Sequence, residues 1–324
     1  MPERLLVFKP SSLGDVVHAL AVIRTLHRIR PDILVDWVIR DNLAPLLVHS
    51  GLVNHINQFH RNAGLGAFIR LIREIRRSEY ETVWDMQGLA RTALLTRGAR
   101  AKRKIGRRDA REFAFLAYQE RVGPSKIQAK EMHAVDILAQ FLPTLGVSEA
   151  PTGVIDWRFY SDPTPFHSIT QKEEEPTIAL FPEARGSGKE WPFFPLFAQE
   201  LLRDGRLPSG WKIKILGCRR DNAFDPHPRL EDGRGRTQLA ELLPLIRRAR
   251  CVVANDSGPV HLAASMGTPV LGLYGPTDPK RFGPYPLTRP SNAWLRAAGG
   301  DLKALPVSRV LDRVFELIEL GHSR

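Results

Sequence analysis

Cys251-Val252-Val253-Ala254-Asn255-Asp256-Ser257-Gly258-Pro259-Val260-His261-Leu262-Ala263-Ala264, followed shortly by Pro269-Val270-Leu271-Gly272-Leu273-Tyr274, runs apolar, polar, helical, apolar. Two strand-length apolar runs joined through a turn and one short helix make a βαβ unit of a parallel sheet. Asp256, Ser257 and Gly258 fall where strand passes into helix, and Pro259 suits the first helical turn, where a missing N–H costs nothing. The carboxyl edge of that sheet therefore carries unpaired amides and the positive end of a helix dipole, a place suited to a phosphate. An isolated Asp-Ser-Gly is more often an ordinary N-cap. The rest of the chain decides between the two.

Upstream, the same alternation repeats. Leu5-Leu6-Val7-Phe8 reads as a buried strand, Lys9-Pro10-Ser11-Ser12-Leu13-Gly14-Asp15 as a turn, and Val16 to about Arg30 as a helix that Pro31 ends. Residues 33–39, 55–59 and 81–85 read as further strands, and Ala67 to Ser78, with arginines between its apolar positions, as an amphipathic helix. Ile105-Gly106 and Arg121-Val122 bracket a basic, partly helical segment, and Ala134 to Leu142 is a helix. Pro163, Pro165 and Lys172-Glu173-Glu174-Glu175-Pro176 break the pattern, which restarts at Thr177-Ile178-Ala179-Leu180-Phe181. A helix over 194–202, a strand over 212–217, a charged loop over 221–234 and a helix over 238–249 lead to the opening stretch, and 307–320 forms a last amphipathic helix. Strands alternating with helices mean α/β architecture with doubly wound parallel sheets. The expected division is a first domain over 1–160, a linker over 161–176 and a second domain over 177–324, with a cleft between the domains and the last helix a candidate to pack back on the first.

The bulk numbers exclude several classes. Of 324 residues, 43% are hydrophobic and 25% charged, as in an ordinary soluble protein, and no apolar run reaches membrane-spanning length. Cys218 and Cys251 have no spacing for a disulfide framework or a zinc site, and the N-terminus lacks a signal-peptide core, so a cytoplasmic location is expected. The net charge is +12; residues 1–160 hold 24 Lys/Arg against 16 Asp/Glu. Between Arg91 and Arg111 nine basic residues face only Asp109, a run that by default is a solvated face. Nucleic acid is not the expected partner, because no aromatic interleaving, helix-turn-helix, RRM or KH pattern accompanies the charge.

Four polar turns follow strands: Ser11–Asp15, Glu183–Lys189, Gly217–Asp221 and Asp256–His261. Ligands of open parallel sheets bind outside the carboxyl ends of strands. Lys189 supplies a cation and Ser257 with its neighbours supplies N–H groups, which holds a diphosphate without metal. Asp221, just past a strand, has the chemistry to hold a ribose diol, and Asp15, beside Gly14 at a helix start, is the carboxylate suited to act as general base.

The motifs from Lys9 to His18, Asp85-Met86-Gln87-Gly88-Leu89, Lys189-Glu190-Trp191-Pro192, Gly235-Arg236-Thr237, Asn255 to His261 and Tyr274-Gly275-Pro276-Thr277-Asp278-Pro279 together resemble the ADP-heptose:lipopolysaccharide heptosyltransferases. The first fifty residues, Asp36-Trp37-Val38-Ile39 above all, are more similar to heptosyltransferase I than II. The resemblance implies a GT-B fold of two Rossmann-like domains facing across a cleft, the first binding acceptor and the second nucleotide sugar. It implies inverting transfer of L-glycero-D-manno-heptose from ADP-heptose, the donor substrate, to Kdo on lipid A, with neither metal nor cofactor, at the cytoplasmic face of the inner membrane. On this chain Asp15 matches the base and Lys189 the pyrophosphate lysine; Asp256, Ser257, Gly258 and His261 match the donor loop; Asp221 falls at the ribose-binding position, where the family usually has Glu, and Thr237 near the adenine. Ser12, Gly14, Arg61, Gln87 and Arg111 fall on the acceptor side. Another nucleotide sugar or acceptor, a protein included, is the alternative within the same fold.

Overall fold

The computed structural model describes residues 2–60, 63–158, 175–219 and 223–322. The chain divides into two compact units, 1–158 and 159–324. The first contains β1 (Arg4–Phe8), α1 (Leu13–Ile29), β2 (Leu34–Arg40), α2 (Ala44–Ser50), β3 (His55–Phe59), α3 (Gly64–Ile75), β4 (Glu79–Asp85), α4 (Ala90–Gly98), β5 (Arg100–Arg107), β6 (Glu120–Val122) and α5 (Ala134–Ala139). Its sheet runs β3-β2-β1-β4-β5-β6, parallel throughout.

The second contains β7 (Thr177–Phe181), α6 (Phe194–Arg203), β8 (Lys212–Ile215), β9 (Leu230–Asp232), α7 (Leu239–Arg248), β10 (Cys251–Asn255), α8 (Gly258–Met266), β11 (Val270–Tyr274), α9 (Pro279–Phe282), β12 (Asn292–Arg296) and α10 (Val307–His322). Its order is β12-β11-β10-β7-β8-β9, again all parallel. Counted from each unit's own first strand, both sheets read 3-2-1-4-5-6, the Rossmann order. Strand order reverses between strands 1 and 4, so each unit has one topological switch point, at β1/β4 and at β7/β10.

The local reasons are visible in the burial. Strands β10 and β11 are buried along their whole length, as the unbroken apolar runs require of strands covered on both faces. In α3 Leu71 and Ile75 turn inward while Arg70 and Arg73 stay exposed. The first core gathers Leu6, Phe8, Val38, Ile75, Val83 and Leu95. The second is built around Trp191, whose ring lies 5.3 Å from Phe194 and 5.8 Å from Phe197.

Three strands differ from the sequence reading. The basic segment 100–107 is strand β5, because Lys102 and Arg103 reach sideways to Glu81 and Glu120 while Ile105 and Gly106 stay buried. Strands β9 and β12 close the second sheet, where a charged loop and no assigned element were expected. The last helix (Val307–His322) places Val310, Val314 and Leu317 in the second unit's core, against α6 and β10. Most of the expected linker, and the positions of Asp221 and Arg61, lie outside the described residues.

Candidate functional site

At the first switch point the turn after β1 is pinned by its backbone: Trp37 Nε1 donates to the Lys9 carbonyl at 3.1 Å, and Arg40 N to that of Pro10 at 3.1 Å. Ser12 then caps α1. Its hydroxyl donates to Asp15 Oδ2 at 2.6 Å and its amide to the same oxygen at 3.1 Å, a capping box closed by an aspartate. Lys9 Nζ donates to the other oxygen, Oδ1, at 3.1 Å. Burial pushes the Asp15 carboxyl upward, but the Lys9 ammonium, the Ser12 donors and His18 outweigh it and hold it below the usual carboxylate range. Burial and the neighbouring Arg107 cation lower Lys9 from its ordinary value, with Asp15 opposing them. The pair is an ion pair with a dehydrated cation and an accessible anion: the Lys9 side chain is 2% exposed and that of Asp15 45%.

Beside it, Met86 N donates to the Phe8 carbonyl and carries the end of β4 alongside the β1 turn. Asp85, fully buried, accepts the amides of Gln87 and Gly88, each at 3.0 Å, and the Tyr118 hydroxyl at 2.8 Å. Burial raises its carboxyl and these donors oppose the rise. The Gly88 carbonyl accepts Arg111 N at 2.9 Å, so Gln87 and Arg111 stand on adjoining loops. Gly88 has φ +71°, and a Cβ there would lie 3.3 Å from the Ala110 backbone, which makes glycine the fitting residue. Arg107 clasps Asp109 through Nε (2.8 Å) and Nη2 (2.6 Å). Ser12, Gly14, Asp15, Gln87 and Arg111 thus share the carboxyl edge of one sheet.

At the second switch point Lys189 Nζ meets Asp256 Oδ2 at 2.6 Å, joining the turn after β7 to the turn after β10. Lys189 is 28% exposed and Asp256 8%. Asn255, fully buried, braces the pair: its Oδ1 accepts Trp191 N at 3.0 Å and its Nδ2 donates to the Pro182 carbonyl at 2.7 Å. Trp191 Nε1 donates to Leu305 O at 2.9 Å. A Cβ on Gly275 would lie 2.7 Å from the Gly188 carbonyl and 2.9 Å from that of Gly300, so three loops meet there with no room for a side chain. Ser257 is the N-cap residue of α8, its hydroxyl donating to Asn255 O at 3.1 Å, and Gly258 opens the helix. His261, one turn in, is buried. Thr237 lies past β9, where its hydroxyl donates to Gly233 O at 3.2 Å.

The structure therefore brings Lys189, Asp256, Ser257, Gly258 and His261 to one switch point, with Thr237 past the end of β9, two strands along the sheet from β7. The sequence reading gave no part to Lys9, Asp85, Arg107, Tyr118 or Asn255. Lys9, Asp85 and Asn255 sat inside quoted motifs at strand ends, which was the available signal. Among the described residues no group of three or more His, Cys, Asp or Glu is placed to hold a metal ion.

Two Rossmann-like units in tandem, each with a charged pair at its switch point, give this chain the two-domain architecture of the GT-B fold. The chain belongs to glycosyltransferase family 9 (heptosyltransferase), whose profile matches residues 68–293. Lipopolysaccharide core heptosyltransferase OpsX of Haemophilus influenzae is 24% identical over 299 residues, 88% of this chain and 82% of that protein. Lipopolysaccharide heptosyltransferase 1 of Escherichia coli is 29% identical over 308 residues, 87% of this chain and 91% of that one. Among solved structures, E. coli heptosyltransferase WaaC with ADP superposes with a TM-score of 0.76 at 26% identity, covering 98% and 99% of the two chains.

Proposed function

We propose that this enzyme moves L-glycero-D-manno-heptose from ADP-heptose to Kdo on lipid A during assembly of the lipopolysaccharide inner core, with inversion and without a metal ion, at the cytoplasmic face of the inner membrane. Relatives named for lipopolysaccharide core heptosyl transfer, and a solved relative holding ADP, support the donor and the pathway. The observation that carries the reading is the opposite sense of the two switch-point pairs. In the first unit the carboxylate is accessible and the lysine buried; in the second the lysine is accessible and the carboxylate buried.

In the proposed reaction Asp15 takes the proton of the attacking acceptor hydroxyl as its oxygen bonds to the anomeric carbon. The bond from that carbon to the β-phosphate oxygen breaks, and ADP leaves with the electron pair. Lys189 and the start of α8, with Ser257 and Gly258, stabilise the departing diphosphate. Asp256 orients Lys189, and His261 lines the same turn. Asp221 and Thr237 would hold the ribose and adenine; Ser12, Gly14, Gln87, Arg61 and Arg111 would hold the anionic acceptor.

The test is an assay of the purified enzyme with ADP-heptose and Kdo-bearing lipid A in the presence of EDTA. One ADP released per acceptor heptosylated is expected. Transfer from a UDP- or GDP-sugar but not from ADP-heptose would overturn the donor, and loss of activity to EDTA, restored by a divalent cation, would overturn the metal-free mechanism.

A further inference from the structure

Between β5 and β6, and again just after β6, the first unit exposes large apolar side chains. Phe113 is 75% exposed, Leu116 70% and Ile127 78%, with Phe115 exposed between the first two. Single surface apolars are ordinary, but four within fifteen residues are an unusual concentration, and the Phe113 and Phe115 rings among them adjoin. The loop's root is fixed. Ala110 and Ala114 are buried against Ala93 of α4, and Ala114 N donates to Arg111 O at 3.0 Å. Its tip is turned outward through Glu112 and Phe113 at φ +55° and +58°, a left-handed conformation that bulky residues rarely adopt. No intramolecular burial of the Phe113 ring offsets that strain.

The charges around the tip are sorted. Residues 108–130 contain Arg108, Arg111, Arg121, Lys126 and Lys130 against Asp109, Glu112 and Glu120. All five basic side chains are exposed. The three acids are engaged by the protein: Asp109 by Arg107 at 2.6 Å, Glu120 by Arg103 at 2.8 Å, and Glu112 by the Ala90 amide that opens α4, at 3.1 Å. Basic and apolar groups interleave, with the Arg121 guanidinium 5.8 Å above the Phe115 ring and that ring 6.3 Å from Phe113. Protruding apolar tips among cations suit the headgroup region of an anionic bilayer, where rings enter the acyl boundary and cations meet phosphates.

We propose that the segment 108–130 is a membrane-docking loop for anionic lipid, with Phe113, Leu116 and Ile127 inserting and Arg108, Arg121, Lys126 and Lys130 against the headgroup phosphates. The inference deepens the functional reading and rests on it for its purpose. A lipid-borne acceptor is met at the bilayer surface, and this loop leaves the same sheet edge that carries Asp15 and Arg111.

The full chain is sedimented, without donor or acceptor, with sucrose-loaded vesicles of phosphatidylethanolamine and phosphatidylglycerol, and separately of phosphatidylcholine. Binding to the anionic vesicles is expected to exceed binding to the neutral ones at least tenfold and to weaken with salt. F113S/L116S is expected to lose tenfold or more with an unchanged thermal transition and unchanged turnover of a deacylated, soluble acceptor. R121E/K126E is expected to lose the preference for anionic vesicles. Indifference of the wild-type chain to both vesicle types, or full binding by F113S/L116S, overturns the proposal. So does a wild-type dimer, seen by light scattering, that F113S/L116S dissolves, since the tips would then hold a second copy. Vesicle binding is read without catalysis, so failed heptose transfer would leave this result standing.

Discussion

The two switch points share one topology and present opposite charge. Each unit places a lysine in the turn after its first strand and acidic residues beside it, and the strand order of each sheet reverses at the same place. In the first unit Lys9 bonds six residues along its own turn, so the cation stays under the sheet edge and Asp15 faces outward. In the second, Lys189 reaches across to the fourth strand's turn, where Asp256 is buried and the ammonium is the accessible member. One scaffold thus presents a carboxylate at one edge and an ammonium at the other, which the proposed reaction uses as proton acceptor and anion cradle. What differs is which partner the local backbone buries.

Exchanging the accessible member of each pair should break the comparison most severely. Replacing Asp15 with Asn preserves the cap geometry and removes the base. The expected loss in kcat is about 10²–10⁴-fold, the usual worth of a positioned general base. Single-turnover kinetics with saturating donor measure it, and a variant within threefold of wild type would remove Asp15 from the chemistry. Replacing Lys189 with Ala should lower kcat/KM by about 10²–10³-fold, the scale of one lost donor to developing charge. ADP affinity should fall with it, measured by calorimetry, whereas the Asp15→Asn variant should keep ADP affinity. If both variants lost ADP binding equally, the division of labour between the units would be wrong.

Much of this arrangement was legible in the sequence, and the residues that were not share a physical reason. Cys251 to Tyr274 announced its βαβ unit because both strands are buried on two faces and carry no alternation to confuse. Arg100 to Arg107 hid a strand because its ladder needs only backbone groups, while its cations pair with Glu81 and Glu120 on neighbouring strands. Ser12, Asp15 and Lys189 stood out through strand–turn–helix spacing. Lys9 did not, since nothing in Phe8-Lys9-Pro10 tells that a lysine is buried. Asp85 and Tyr118 meet across 33 positions, and Asn255 and Pro182 across 73. Such contacts exist only once the strands have been ordered.

Asn255 supplies the next test of the comparison, because the second unit's pair is braced from below and the first unit's is capped from within its own turn. Replacing Asn255 with Ala leaves Trp191 N–H and the Pro182 carbonyl without their partner inside the protein. At ~1–3 kcal/mol for each buried group left unsatisfied, a loss of ~2–6 kcal/mol is expected in the unfolding of the second unit. Denaturant titration followed by near-ultraviolet circular dichroism measures it, with Asp15→Asn as the control expected to leave that transition in place. An Asn255→Ala protein of wild-type stability would mean that the turn around Lys189 is held by the Asp256 pair, the Trp191–Leu305 bond and the packing at Gly275 without the Asn255 brace.

The smallest effect concerns Lys9, and it sharpens the comparison by pH. Burial pushes the Asp15 carboxyl up while Lys9 leads the groups that pull it below the ordinary range. Removing the cation in Lys9→Met therefore lets the carboxyl rise, and the acid limb of kcat/KM should move to higher pH. At neutral pH, where Asp15 is ionised in the wild type, the loss should be no more than roughly fivefold, the ~1 kcal/mol scale of a part-exposed ion pair. Stability carries the same sign. A carboxylate with a depressed folded value contributes stability above the unfolded value of about 3.9, and that contribution is lost as pH falls through the folded value. Lys9 is protonated in both folded and unfolded chains at acid pH, so its own lowered titration leaves the acid side unaffected. Acid titration of stability should accordingly be shallower in Lys9→Met than in wild type. An unmoved acid limb together with unchanged acid stability would show that the Ser12 donors and His18 set the Asp15 carboxyl without the lysine, and that the buried lysine serves packing.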